Sequence, residues 1–530
     1  MAWTANMSLY DSLKIDSSHF PNAWNVLEVV DLHNNPSVYV AVRGEFETPE
    51  AEAVFQELLR KGRKVIGVSS YQNFPKLTCN PYQNTGYPRK TEDLFLTKYG
   101  SRVILWCHCF RDPAHFIPIS IPYLLYSETD QYPHTQNLLS LNTPKTYDCF
   151  VSMPAGEWNA WIRGLPVLQR WLTYMAEEMH LKILVCGTDR RNDFSPLIDV
   201  IDFQPWSSFL KAMSSAKFLL NAAGHDASPR IILEAIGLGL PVLVNENILG
   251  GWKYVNQYTG EFFCPEEPIG QKIRDFVSKV PHFRPREWLC ENFKREQNMK
   301  VLATTLNIMQ SFQYKDIMQG VLVINLPNRP DRLKNIRSEL SRLEVPDEMV
   351  TIISAMEVIP CGHLGCTRSH IKALEYALDH KWQRVLILED DFSFDVARER
   401  MLFMIFEFLD TTAAWDVLMF TAGWKEYTLK TNLSFVKRLK YGTTTAGYLV
   451  NGIESMNALR DNFKTSEALL TSEVLEHVKK HPRGERLYQT ANALDMYWRD
   501  FQAKHNFFIT EPMIGRQNAS PSSIMLPVSR

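Results

Sequence analysis

Short apolar runs recur along the chain, each closed by polar or turn-forming residues and followed by a stretch of helical spacing. Val385 to Leu388 is the clearest: four branched aliphatics in succession predict a strand buried on both faces, as in a parallel sheet. Val321 to Leu326 and Val417 to Phe420 read the same way in the second half, with Thr443 to Val450 a further strand. Gly362 to Asp379 reads as a helix, and Met401 to Leu409, interrupted by Glu407, as a core helix. In the first half, strands Val38–Val42 and Lys64–Val68 enclose a helix from Pro49 to Lys61, with Thr48 as its N-cap. Arg102 to Cys107 continues that β-α series. Residues 1 to about 36 predict little. A second series starts near 146, with strands at Tyr147–Ser152, Lys182–Cys186, Lys217–Asn221 and Val242–Val244. Alternation of this kind predicts α/β architecture with parallel sheets.

Composition narrows the class. A chain of 530 residues is too long for one core, and ordinary domain sizes suggest about three or four. The net charge of −2 gives no reason to expect a nucleic-acid surface. The chain has no apolar run of the roughly 18 residues a membrane helix needs and no basic-then-apolar leader, so a transmembrane span and a signal peptide are not expected. Nine scattered cysteines suit reduced thiols in a cytoplasm. Cys107 and Cys109 lack a second pair, and read as buried strand cysteines rather than metal ligands.

The chemistry concentrates where strands end. Glu389, Asp390 and Asp391 follow Leu388 at once, and ligand sites in open α/β sheets lie at the carboxyl ends of strands. Adjacent carboxylates repel unless a cation sits between them, and hard divalent ions take such oxygens. Such an ion can bridge the phosphates of a nucleotide sugar; the alternative is a solvated acidic turn. Arg329 and Arg332 follow the strand ending at Leu326 and suit a diphosphate, or are solvated residues at a helix start. In the first half, a helix starting near Ser228-Pro229 offers free N–H groups for a diphosphate, with Arg230 beside them and Glu234 placed for ribose hydroxyls. His108 ends the third strand: it faces a crevice, or it is a buried, hydrogen-bonded histidine.

Two family resemblances organise these residues. Asp226 and Glu234, with Ala235, Gly239, Pro241 and Val242 behind them, resemble the carboxylate-x7-Glu motif of retaining glycosyltransferase 4-type enzymes with the GT-B fold. The block from Gly250-Gly251 through Val255 to Gly260 resembles that family's next motif, and Arg163-Gly164 stands where it places a phosphate-binding Lys-Gly. Asp226 replaces the usual Glu, and Glu157 the usual Arg. The resemblance implies that Glu234 contacts the nucleotide ribose, Asp226 lies by the donor sugar, and Arg163 and Arg230 contact the diphosphate.

Residues 320 to 525 resemble glycosyltransferase family 25, the lipopolysaccharide and collagen galactosyltransferases with a GT-A fold. Asn325-Leu326 with Arg329 and Arg332, Gly362 to His370, and Leu388 to Asp391 match its motifs in order. The resemblance implies a Mn2+ or Mg2+ site with Asp391 as the direct ligand, and Asp390 and Glu389 shaping it. Gln517 stands where many GT-A enzymes place a last histidine ligand. Asp495 is the expected base, with Glu511 as its rival, while His363 and His370 read as structural.

Together these readings predict a GT-B module of two Rossmann-like lobes (residues 1–145 and 146–313) followed by a single-domain GT-A module (319–530). The expected protein is a cytoplasmic, bifunctional glycosyltransferase that uses UDP- or GDP-sugars and a glycan acceptor. The GT-B half is expected to retain configuration and the GT-A half to invert it. A glycan-binding module or a sugar-nucleotide epimerase stands as the alternative for the first half.

Overall fold

The computed structural model describes residues 9–69, 74–75, 94–118, 121–127, 130, 143–188, 193–431, 433, 435–481, 485–487 and 490–518. The chain forms two compact units, Met1–Ile308 and Met309–Arg530. The division falls inside the helix Arg295–Ser311, a little before the expected end of the GT-B module at residue 313.

The first unit holds two six-stranded sheets. One runs in chain order through β1 (Lys14–Phe20), β2 (Ala23–Val30), β3 (Pro36–Val42), β4 (Lys64–Val68), β5 (Val103–His108) and β6 (Tyr123–Leu125). Its first three strands are antiparallel and its last four parallel. The opening hairpin lies where the sequence predicts little; its turn is made by Pro21 and Asn22, the latter at φ 61. Thr48 caps the helix Pro49–Arg60 by accepting the Ala51 N–H at 3.2 Å, as expected.

The second sheet contains β7 (Tyr147–Ser152), β8 (Ile183–Cys186), β9 (Asp199–Ile201), β10 (Ala216–Asn221), β11 (Val242–Asn245) and β12 (Gly260–Phe263). All its pairs are parallel, in the order β12-β11-β10-β7-β8-β9. Strand order reverses beside β7, so a crevice opens between the carboxyl ends of β7 and β10, where ligands of such sheets bind.

The second unit has one mixed sheet of eight strands, drawn from β13 (Gly320–Asn325), β14 (Val350–Ser354), β15 (Arg384–Glu389), β16 (Phe392–Phe394), β17 (Val417–Met419), β18 (Lys425–Lys430), β19 (Val436–Gly442), β20 (Gly447–Asn451), β21 (Phe507–Thr510) and β22 (Gly515–Gln517). Its order is β14-β13-β15-β20-β17-β21-β19-β18, while β16 and β22 pair separately. Alternate residues of β15 enter opposite cores. Leu386 and Leu388 pack with Met401, Ile405 and Phe408 of the helix Arg398–Thr411, and Val385 and Ile387 with Ile371 and Leu374 of Gly362–Asp379. That two-sided burial is what four consecutive aliphatics predict.

Among the described residues, no helix is long and apolar enough to cross a membrane. Cys107 and Cys109 are buried and free.

Candidate active sites

In the second unit, β15 ends on Glu389 and the chain turns through Asp390 and Asp391 into β16. The antiparallel pairing of β16 with β22 puts Phe392 opposite Gln517. That register carries the Gln517 amide nitrogen to 3.3 Å from both Asp391 oxygens, while the Gln517 oxygen accepts the Thr444 hydroxyl at 3.0 Å. Arg332, in the first turn of Pro330–Arg342, is only 8% exposed. Its Nη1 lies 3.1 Å from Asp390 Oδ1 and 3.2 Å from Asp391 Oδ2. Asn325, at the end of β13, donates to Asp390 Oδ2 at 2.7 Å. Arg329 is instead turned to Asp331, in a two-point pair at 3.0 and 2.9 Å.

Three carboxylates thus face one guanidinium. Burial, and then the charge of Glu389, push the Asp391 carboxyl up to about 7; burial also raises that of Asp390. A hard divalent cation fits this donor set, because it would offset the excess negative charge through the Asp391 oxygens. Both Asp390 oxygens already have partners, so Asp390 shapes the site. Gln517 presents its nitrogen rather than its oxygen to Asp391, and as placed it orients that carboxylate.

Three consecutive threonines join the cluster to its surroundings. Thr445 donates to Glu389 at 2.6 Å. The Thr444 hydroxyl reaches Gln517 and its backbone N–H the Asp495 carboxylate. Thr443 bonds the backbone of Trp424. Thr444 holds φ at 74, a left-handed conformation that is strained for a β-branched residue and persists only where surrounding contacts enforce it. Asp495 opens the short helix Leu494–Tyr497. Burial pushes its carboxyl up, against the pull of His363 and with the push of Glu389. Glu511, the rival base, accepts the Tyr427 hydroxyl at 2.9 Å.

His370 is fully buried, bonded to the Tyr448 hydroxyl at 2.8 Å and to Glu389 at 3.3 Å. Although its ring, Cys366 and Glu389 bring possible ligand atoms within 4.8 Å of one another, both its nitrogens are engaged. It is the structural histidine expected.

In the first unit, Arg163 and Asp226 form an ion pair, and Asp226 Oδ1 also accepts the Ser228 N–H at 3.0 Å. The helix Arg230–Gly237 starts with exposed Arg230 and buries Glu234, which accepts the Trp206 indole N–H at 2.9 Å. Burial raises the Glu234 carboxyl, while Trp206 and the two arginines pull it back. A cavity at the carboxyl ends of β7 and β10 is lined in part by Ser152, Arg163 and Asn221. Asn221 is 6% exposed. Its Oδ1 accepts the Ala223 N–H at 3.0 Å, which leaves its Nδ2, like Arg163 Nε, buried without a hydrogen-bond partner.

The glycines of the motifs have steric causes. A Cβ on Gly164, at φ +69, would lie 2.5 Å from the Ala222 carbonyl oxygen, and one on Gly250 would lie 1.9 Å from that of Ala227. Gly164 also separates the helices Glu157–Ile162 and Leu165–Glu177.

His108 is the buried histidine of the two readings. It is 3% exposed, its Nδ1 accepts the Phe110 N–H at 3.2 Å, and burial together with Lys253 pushes it down to about 4. So enclosed, it does not open to the crevice of the other reading, where it would have stood as a catalytic candidate. Sequence reasoning missed Trp206, Asn221 and the Thr443–Thr445 bridge, and named Asn325 only as part of a motif, without its bond to Asp390. The first two are ordinary aromatic or polar residues singled out only by burial or contacts. The bridge is legible only once β20 is paired. Ala519 and Ser520, the end of the last motif, lie outside the described residues.

Comparison with known proteins supports the class of the second unit. Residues 354–457 match the family model of glycosyltransferase family 25 (LPS biosynthesis protein), so this segment, which contains Glu389, Asp390, Asp391 and the three threonines, is of glycosyltransferase type. No curated protein matches the chain. Solved structures with partial likeness include TarM (12% identity, TM-score 0.33, 47% of this chain and 50% of TarM). Others are the pneumococcal O-GlcNAc transferase GtfA in complex with UDP and GlcNAc (11%, 0.30, 55% and 64%) and Anabaena HepE in complex with UDP (12%, 0.35, 49% and 77%). The alignment thus spans about half of TarM and under two thirds of GtfA.

Proposed function

We propose that the chain is a bifunctional glycosyltransferase whose two units each take a nucleotide-sugar donor, a UDP- or GDP-sugar, and build one glycan in succession. The observation that carries this reading is the acidic end of β15, set inside the segment of family 25 type with Arg332 and Gln517 closed around Asp391. In the second unit Asp391 holds Mn2+ or Mg2+, which when bound offsets the charge of the leaving diphosphate. Asp390, fixed by Asn325 and Arg332, keeps Asp391 in place. Asp495 takes the proton of the acceptor hydroxyl: its raised carboxyl is a stronger base than an ordinary aspartate. With Asp495 acting as the base on the acceptor hydroxyl, the transfer of this unit is read as inverting.

In the first unit, the switch-point crevice between β7 and β10 takes the donor. Glu234 binds the ribose, Arg163 and Arg230 the diphosphate, and Asp226 lies by the sugar, in a retaining transfer that needs no metal. Fusion of two such modules raises the effective concentration of the shared intermediate, and a cytoplasmic place fits the free thiols.

The test is turnover of a panel of UDP- and GDP-sugars by the whole chain, with Mn2+ and with EDTA. Two donors turned over, only one of them in a metal-dependent way, is the expected result. One donor alone assigns the first unit to glycan binding, and a product formed from donor without acceptor or water assigns it to epimerisation.

A further inference from the structure

Trp424 is 64% exposed, the most exposed tryptophan among the described residues, yet it is held firmly. The guanidinium of Arg499 lies 4.9 Å from its ring centroid and 4.4 Å from that of Tyr441, and the two rings are 5.6 Å apart at 65°. Its backbone is fixed on both sides by Thr443: the Trp424 N–H donates to Thr443 Oγ1 and its carbonyl accepts the Thr443 N–H, each at 2.9 Å. A large apolar ring kept in water by a cation, a second ring and two hydrogen bonds is arranged to present a face.

Its position gives that face a use. The next residue, Thr444, bonds Asp495 and Gln517, and Thr445 bonds Glu389. Arg499 and Asp495 lie on adjoining short helices, Arg499–Lys504 and Leu494–Tyr497, which meet at Trp498. The aromatic platform is therefore tied to the carboxylate proposed as the base through consecutive residues, Thr443 at Trp424 and Thr444 at Asp495. Arg499 Nε is buried there without a hydrogen-bond partner.

We infer that Trp424, braced by Arg499 and Tyr441, is the stacking platform for the acceptor sugar of the second unit. The occupant is a pyranose ring. Its C–H face, carrying partial positive charge, meets the negative face of the indole that Arg499 leaves open. Stacking there brings one acceptor hydroxyl toward Asp495 and leaves the diphosphate side of the site to Asp391. The inference rests on the reading of Asp495 and Asp391 as the transfer site.

The experiment is saturation-transfer NMR on the full chain with UDP and Mn2+, using methyl glycosides of glucose, galactose and N-acetylglucosamine as probes. Wild type is compared with Trp424→Ala, Trp424→Phe and Asp391→Ala. At least one glycoside is expected to bind with one ring face saturated, Trp424→Phe to keep that binding, and Trp424→Ala to weaken it roughly tenfold. Equal binding by Trp424→Ala and wild type, or no glycoside bound by wild type, overturns the platform. Over the metal-free background expected of the first unit, the absence of any Mn2+-dependent UDP binding in wild type, or a Mn2+-dependent component unchanged in Asp391→Ala, overturns the underlying reading instead, so the two failures are distinct.

Discussion

The two candidate sites both lie at the carboxyl ends of strands and carry opposite charge arrangements. In the first unit the charges are matched within the protein. Asp226 is paired with Arg163, Glu234 is bonded to an indole, and two N–H groups, Asn221 Nδ2 and Arg163 Nε, are left over. An anion is received there by donors already in place. In the second unit the surplus is acidic: Glu389, Asp390 and Asp391 face Arg332, and Asp391 is pushed up to about 7. On the proposed reading, an anion would bind there only after a cation has reversed the local sign. One sheet edge suits metal-free binding and the other suits metal-dependent binding.

The largest expected effect breaks this comparison most plainly. Removing divalent ions with EDTA should lower turnover of the second unit's donor by about a thousandfold and leave the first unit's donor unaffected; equal losses would erase the distinction. Asp495→Asn should lower transfer by about 10² to 10⁴ with UDP affinity kept, measured by titration beside turnover. If Glu511→Gln has that effect and Asp495→Asn does not, the base has been misassigned.

Two smaller effects sharpen the contrast through stability. Gly250→Ala drives a methyl group toward the Ala227 carbonyl, and should destabilise the first unit by about 2–4 kcal/mol while the melting of the second is unchanged. Asp391 works in the other direction. Its carboxyl is raised by folding, so in metal-free protein the stability tied to its protonated form is present below about pH 4 and lost as pH rises through about 7. Asp391→Asn keeps a neutral side chain, and should melt above wild type at pH 8, by about 2–4 °C for each kcal/mol relieved, and level with it near pH 4. Saturating Mn2+ should close the gap at pH 8 by stabilising only the wild type. A variant that melts below wild type in metal-free buffer would contradict an acidic surplus.

The parts of this architecture legible in the sequence were those with local causes. β13 and β15 were readable because burial on both faces forces unbroken aliphatic runs, and the cap at Thr48-Pro49 because it needs only adjacent residues. The hairpin of β18 and β19 was not, since Lys425 to Lys430 is a polar strand at the sheet edge. Nor was the 28-residue helix Ile453–Lys480, which buries chiefly Met456, Leu459, Phe463 and Leu470 and leaves Leu469, Leu475 and Val478 exposed among polar residues, so no clean apolar stripe marks it. The same rule holds at the sites. Glu389, Asp390 and Asp391 stand together in the sequence and were visible, whereas the placement of Arg332 between two of them depends on β13 lying beside β15. His108 stayed open between two readings because a strand-end histidine looks alike whether the strand end opens to a crevice or is covered by its neighbours.

The central claim is that two independent donor sites lie in one chain. Donor turnover by Glu234→Ala and Asp391→Ala, each in the full-length protein and across the same UDP- and GDP-sugar panel, tests it most directly. The account predicts that each substitution abolishes turnover of one donor and spares the other. If Asp391→Ala removes all turnover while Glu234→Ala changes none, the first unit is not a transferase and the two-site account is wrong.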